Sequence, residues 1–479
     1  MLLLFALVSV FASAQTVNVK GVVKDGGSGD LLPGVSITIK GTIRGTETDF
    51  DGLFNLTKVQ KGAVLVFNYL GYKQKEVTVD KEIVNIFLEQ SAEALDEIVV
   101  IGYGTQRKKE VTGAVSVVSS QAIDDLKPTR IDQALQGQVA GVNITSSSGS
   151  PGAGLNIQIR GVSTNGDGRP LILLDGNVIE DLSVVNPNDV ESMNILKDAT
   201  AGIYGVRGAN GVILITTKGG RRNTELKSSL NMTYGFQQTT RKIPLLNGIE
   251  YALLANEAFA ANGEALPFSN VSGLGQGTNW QDEVFETAPI YSIDYSGSKG
   301  TEKSSLAFGI SVLDQDGIVG GTKSNFNRVT ARVNFSTQLL DNLKFTSSTI
   351  YTNTNKKNLV ENALGSVLFN ALNMPATTSV FDSEGDYSTP PSIGTGIEVA
   401  NPLAQVENAQ NRTWVNKIAG SYGLNYKFLE YFTAETRIQF NYAVVNSDSF
   451  APEFIYGPSN VFNIFESTFS EYKGTNQDY

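Results

Sequence analysis

The chain has 479 residues, no Cys, no His and a net charge of −11. Without those two residue types it can hold no zinc finger, haem-ligating His, Cys nucleophile or Ser-His-Asp triad. Its acidity argues against nucleic acid as a partner, which needs concentrated basic surface. A hydrophobic fraction of 41% excludes a fully disordered chain.

The start is apolar from Leu2 to Phe11 and continues into Ala12-Ser13-Ala14. A short apolar run before a small-x-small site predicts a secretory signal peptide over 1–14. It lacks a basic leading region, so the natural start is expected further upstream. No later run is long and apolar enough for a spanning helix. Spanning strands alternate and escape that test.

Residues 15–90 predict a small β-sandwich. Val35, Ile37 and Ile39 alternate with Ser36, Thr38 and Lys40, and Val77, Val79, Val84, Ile86 and Leu88 continue the pattern. Pro33-Gly34, Asp51-Gly52 and Gly71 punctuate the runs. Asp49 and Asp51 read as hairpin-turn residues rather than calcium ligands.

Residues 91–109 predict a linker carrying one short strand. Asp96, Glu97, Ile98, Val99, Val100 and Ile101 precede Gly102-Tyr103-Gly104, and Arg107-Lys108-Lys109 ends the segment. The Gly-x-Gly is no dinucleotide fingerprint, because Arg107 takes the third glycine position. The expected strand has open backbone edges.

Residues 110–222 predict a Gly-rich α+β domain. Its expected strands are 111–119, 155–162, 171–174, 190–196 and 211–217, with a helix over 131–139.

From 223 to 479 the texture is amphipathic strands. Leu230, Met232, Tyr234 and Phe236 alternate with polar residues. So do Tyr291, Ile293 and Tyr295; Leu306, Phe308, Ile310 and Val312; and Val329, Ala331, Val333 and Phe335. Phe345 and Tyr351, then Ile418 to Phe428, then Phe432 to Tyr442 give about seven strands with one apolar face, as barrel walls require. Expected turns at 298–301, 340–342 and 429–431 are short. The connections at 239–289, 314–325 and 355–412 are longer. This alternation matches short periplasmic turns and long external loops. Seven strands cannot close a barrel, and the end at Tyr479 shows no strand signature, so the chain is expected to be the N-terminal part of a larger one.

This order resembles the SusC/RagA family of TonB-linked outer-membrane transporters. The 96–104 run resembles the family's TonB box and its following glycines. Ile157-Gln158-Ile159-Arg160-Gly161, Pro170 to Gly176, Leu196 to Ala201 and Tyr204 to Gly211 resemble its plug. Thr278-Asn279-Trp280-Gln281-Asp282 resembles, more weakly, an early barrel segment. Residues 17–88 resemble the carboxypeptidase-regulatory-like domain that precedes the box.

The resemblance implies a mainly β protein: sandwich, α+β plug, and the first strands of a barrel of about 22 strands in the full family. It implies outer-membrane import of large nutrients, glycans or peptides, with the plug remodelled by force. Asp96, Glu97, Ile98, Val99, Val100 and Ile101 would bind TonB of the TonB-ExbB-ExbD complex. A SusD-like surface lipoprotein would be a partner, and outer-membrane lipid would surround the wall. No catalytic residue, cofactor or metal is implied.

Arg160 and Arg207 could pair with wall carboxylates or within the plug. Trp280 and Trp414 read as packing or interfacial-belt residues. Asp124/Asp125 and Glu180/Asp181 read as surface charge rather than a glycosidase pair. Against import stand a secreted multi-sandwich adhesin and a carboxylate-based hydrolase. A siderophore receptor would be a variant of the import class.

Overall fold

The computed structural model describes residues 16–42, 44–69, 72–81, 85–89, 98–101, 104–107, 115–146, 148–162, 164–390, 398–429, 432–457 and 460–478. The signal peptide expected over 1–14 lies outside them, as do Asp96, Glu97, Gly102 and Tyr103. The chain divides into two compact units, Met1–Thr112 and Gly113–Tyr479. Among the described residues, no helix is long and apolar enough to cross a membrane.

The first unit contains the expected sandwich. One sheet has β1 (Thr16–Asp25) between β4 (Leu53–Gln60) and β7 (Ile86–Leu88). The other runs β3 (Gly45–Glu47), β2 (Ser36–Ile39), β5 (Val64–Asn68), β6 (Lys75–Thr78). The alternation buries Val19, Val23, Ile37, Phe54, Leu65 and Phe67 between the sheets. Each such side chain contributes about 1.5–3 kcal/mol. Asp49 Oδ1 accepts from the amides of Asp51 (3.0 Å) and Leu53 (2.9 Å), the turn role expected of it.

Further along this unit, β8 (Ile98–Ile101) pairs antiparallel with β9 (Gly104–Arg107). One edge of the strand expected to be open is therefore hydrogen-bonded to its own chain.

In the second unit, the α+β domain is a five-stranded sheet. Its order is β10 (Val115–Ser119), β15 (Val190–Leu196), β16 (Val212–Thr217), β13 (Leu171–Leu174), β14 (Asn177–Ile179). Here β13 and β16 pair in parallel. Their unbroken apolar runs fit burial on both faces, and Ile172 to Leu174 and Val212 to Ile215 are all buried. Asp175 (φ 49°) and Gly176 (φ 84°) form a two-residue turn with two positive φ values, which makes the tight β13–β14 hairpin.

Beside β14, a helix and a further strand of this domain escaped the sequence reading. Helix α1 is Ser120–Leu126, and β11 (Val142–Ser146) pairs with β12 (Leu155–Ile159). The helix expected over 131–139 is only a 3-10 turn, Ile131–Leu135. Gly137 (φ 73°) and Gly141 (φ 75°) stop it from extending.

The wall is an eight-stranded meander in chain order. Its strands are β17 (Thr224–Gln237), β18 (Ala288–Gly300), β19 (Ser304–Gly317), β20 (Gly321–Leu340), β21 (Leu343–Asn358), β22 (Gln410–Phe428), β23 (Phe432–Ala451) and β24 (Thr468–Asp478).

The strand count and one connection differ from expectation. Strand β24 was missed because Phe469 and Tyr472 have opposite parity and break the alternation. The connection expected over 314–325 is a turn at 318–320. Polar residues there continue the ladder: Asn325 Nδ2 donates to Asp314 and Asp316, both at 2.8 Å, and Asn327 Nδ2 to Asp314 at 3.1 Å. Strand pairing thus outlasts the apolar pattern that marks it in sequence.

Register confirms the two faces. Leu230, Tyr295, Ile310, Ala331, Tyr351, Ile418 and Tyr442 pair side by side across successive strands, and all but Ala331 are exposed. The neighbouring inward row includes Asp294, Ser311, Thr330 and Thr352, all buried. Ile310→Arg in the full-length protein should cost about 2–4 kcal/mol of folding into lipid vesicles, the penalty for a charge at mid-bilayer on a barrel's outer face. Unchanged folding into vesicles would show that this face does not meet lipid.

Candidate functional site

The inward strand faces of the wall hold the α+β domain by polar bonds. In β20 the even positions point inward, so Arg328, Thr330, Arg332 and Asn334 share one face. Arg328 Nη1 donates to the carbonyls of Ser183 and Val185, both at 3.1 Å. Arg332 Nη2 meets Asp189 Oδ1 at 3.0 Å, and its Nη1 donates to Lys218 O at 2.5 Å. The side chains of this pair are 2% and 4% exposed, so it is the buried ion pair of the seam. Asp189 ends a 3-10 turn, Pro187–Asp189, which Asn186 caps. Asn186 Nδ2 also donates to Asp294 Oδ1 of β18 at 2.9 Å.

Strands β21 to β23 hold the other side. Thr352 Oγ1 donates to Val184 O at 2.9 Å, and Ser348 Oγ to Asp175 Oδ2 at 2.7 Å. The β13–β14 hairpin tip is gripped by Gln439, whose Nε2 donates to Gly176 O at 2.5 Å. Asn177 Nδ2 reaches the carbonyls of Gly420 (3.2 Å) and Phe440 (3.0 Å). A Cβ on Gly176 would meet the movable tip of the Arg437 side chain, so it is the φ of 84° that favours glycine there. Among the described residues, only Ile350 and Ala419 of the wall join the domain's apolar core.

This distribution has a mechanical consequence. A neutral hydrogen bond contributes about 0.5–1.5 kcal/mol net. The neutral bonds of the seam can open one at a time, with the Arg332–Asp189 pair as its strongest contact, whereas a fused apolar core would have to open at once.

The domain's loop 148–151 is anchored separately. Arg130 Nη1 donates to Gly152 O at 3.2 Å, and its Nη2 pairs with Asp132 at 2.8 Å and Asp181 at 3.3 Å. Desolvation alone would lower the Arg130 guanidinium, but the Asp132 and Asp181 carboxylates raise it above its ordinary value. The hydroxyls of Ser148 and Ser150 both donate to Glu361, which follows β21.

The other residues marked in sequence fall as follows. Ile98, Val99, Val100 and Ile101 form β8, while Asp96 and Glu97 lie outside the described residues. Arg160 follows β12 with φ 57° and donates its amide to Gly141 O at 2.8 Å. Arg207 is exposed. The plug–wall ion pair described above runs from a wall arginine to a plug carboxylate. Trp280 is 2% exposed and donates Nε1 to Pro375 O at 3.1 Å, a packing role. Trp414 lies under the Arg412 guanidinium, 4.2 Å from the ring centre. Asp124 lies 3.9 Å from Lys218, and Asp181 Oδ1 accepts from the Ser183 amide at 2.9 Å. Arg328, Arg332 and Asn334 were overlooked although their signal was present. They occupy the parity opposite Val329, Ala331 and Val333, and two arginines on a face turned from lipid need partners inside.

Known proteins agree with this architecture. Residues 107–212 match the TonB-dependent Receptor Plug Domain, and residues 19–100 match the CarboxypepD_reg-like domain. TonB-dependent receptor P26 of Formosa agariphila is 37% identical over 407 residues, covering 83% of this chain and 40% of its own length. TonB-dependent receptor SusC of Bacteroides thetaiotaomicron is 34% identical over 459 residues, covering 89% of this chain and 44% of its own. The structure of the RagAB peptide importer in the 'open-open' state superposes with a TM-score of 0.66 at 24% identity, over 80% of this chain and 46% of that one. That last likeness speaks for the fold alone. The chain spans less than half the length of these curated relatives. With sandwich, plug and apolar-faced wall in this order, it belongs to the SusC/RagA family of TonB-dependent receptors, β-barrel proteins of the outer membrane.

Proposed function

We propose that this chain supplies the sandwich, tether, plug and first wall strands of a TonB-dependent importer of large nutrients, glycans or peptides. The observation that carries the reading is the plug, seated by separable polar bonds on the inner face of a wall whose outer face is apolar. An outer membrane holds no ATP, so work must arrive mechanically through TonB of the TonB-ExbB-ExbD complex. The segment Asp96, Glu97, Ile98, Val99, Val100, Ile101 is the TonB-binding strand. Among the described residues β8 has a strand on one side only. Its second edge can therefore accept a TonB strand by β-augmentation, with main-chain hydrogen bonds carrying the load.

The tether leads into β10, the first plug strand. This is an edge strand, paired only with β15 within its sheet. It can leave without opening the sheet's interior. A SusD-like surface lipoprotein would help capture cargo above the barrel.

Deleting residues 96–101 from the full receptor should abolish growth on a carbon source that requires it, while surface binding of that nutrient persists. Growth at the wild-type rate would refute the coupling role. Extraction of the full protein without detergent would instead favour a secreted adhesin.

A further inference from the structure

On the outward face of the wall, β21 and β22 form a ladder of matched rungs. Tyr351 pairs with Ile418, Asn353 with Asn416, Asn355 with Trp414 and Lys357 with Arg412. The first rung is exposed and belongs to the apolar band. The next two carry amides and one indole. The last sets two cations directly opposite each other, both exposed. This end of the strands leads into the long connection 359–409, the external side of an outer-membrane wall.

Like charges directly opposite on a sheet face are destabilising. Among the described residues, no carboxylate forms an ion pair with either cation. Lys357 Nζ donates to Thr322 O at 3.1 Å. Arg412 donates Nε to Asn355 Oδ1 at 2.9 Å and lies on Trp414, 4.2 Å from the ring centre. The guanidinium is thus fixed through its Nε edge, and its Nη fork is left for an anion. Asn325 and Asp448 are the outer cross-strand neighbours of Lys357 and Arg412 and border the pair.

Height selects the kind of anion. Six residues separate Tyr351 from Lys357, and six separate Ile418 from Arg412. At about 3.4 Å per residue and a tilt of about 40°, the cations stand roughly 15 Å beyond the apolar band. A phosphoglyceride carries its charge within about 5–8 Å of the hydrocarbon edge, well short of them. The span between is surfaced by Asn353, Asn355 and Asn416, which suit hydroxyls. Asn416 Oδ1 accepts from Tyr351 Oη at 3.0 Å and from Asn353 Nδ2 at 2.8 Å, so the amide is held through its oxygen and its Nδ2 is left to donate. A matching molecule is apolar at its root, polar for about 15 Å and anionic beyond. From this we infer that the strip binds the phosphorylated sugar headgroup of an outer-leaflet glycolipid. Its acyl chains lie against Tyr351 and Ile418, its hydroxyls on the asparagines, and its phosphate between Lys357 and Arg412. The site faces away from plug and cargo, so it lies outside the import path.

The test is native mass spectrometry of the full-length protein in detergent, titrated with defined lipids. The probes are lipopolysaccharide truncated to a phosphorylated inner core, the same lipid without the core phosphate, and phosphatidylglycerol. The phosphorylated lipid should bind at least about tenfold more tightly than either of the others. Lys357→Gln/Arg412→Gln should erase that preference, and each single change should reduce it. Lys299→Gln, an exposed cation on the outward face beside the short β18–β19 turn, should keep it. Equal binding of the two lipopolysaccharides to the wild type, binding of phosphatidylglycerol as tight as theirs, or a preference intact in the double variant would each overturn the inference. The first two comparisons use the wild type alone, so a variant that fails to fold does not decide the matter. No readout involves TonB or uptake, so failure here leaves the growth result of the 96–101 deletion standing, and the reverse also holds.

Discussion

Arg332→Met should loosen the plug by about 3–5 kcal/mol, the range for removing one partner of a buried ion pair. The loss is large because of what stays behind. Asp189, 4% exposed in the seam, would keep its charge without the guanidinium that meets it. Lys218 O would also lose the nearer of its two donors, keeping Asn334 Nδ2 at 3.3 Å. Amide hydrogen exchange in the full receptor reads this directly: protection of β15 and β16 should fall in R332M. Adding Asp189→Asn should restore most of it, since no bare charge then remains buried. Arg332→Lys should fall between, because an ammonium keeps the charge but loses the fork that serves two acceptors. By contrast, Thr352→Val should cost about 0.5–1.5 kcal/mol, one neutral bond. Equal protection in R332M and wild type would mean that the ion pair does not hold the plug.

Much of the architecture was legible because it follows from period-2 alternation. Ile293, Ile310 and Val333 mark the lipid-facing side in sequence, and register places them on one surface. The same logic fails where the environment changes along a strand. Beyond the apolar band the outward positions of β19 and β20 turn polar, Asp314, Asp316, Asn325 and Asn327, so 314–325 looks like a loop while its backbone continues the ladder. Strand β24 was hidden for the same reason, since its outward row after Phe469 reads Glu471, Lys473, Thr475, Gln477. Helix periodicity failed differently. Ile131, Ala134 and Leu135 have helical spacing, but Gly137 and Gly141 cut the element to one 3-10 turn. The seam was half legible. Inward parity singles out Arg328 and Arg332, yet their partners are carbonyls of Ser183, Val185 and Lys218, which no side-chain pattern announces. Glu361 gave no signal at all, because its meeting with Ser148 and Ser150 joins segments more than two hundred residues apart.

On the import reading, the plug must move against the wall for cargo to pass. Ser348 and Asp175 meet across the seam at 2.7 Å. The chain has no cysteine of its own to compete with an introduced pair. Ser348→Cys with Asp175→Cys should form a disulfide if the Cα atoms lie within about 4.4–6.8 Å, and a gel shift scores its closure. The decisive measurement is uptake of a labelled nutrient by cells carrying that pair in the full receptor, oxidised and then reduced. Uptake should drop to the level of the 96–101 deletion when the bond is closed and return on reduction. Full uptake through a receptor with the bond closed would contradict the account.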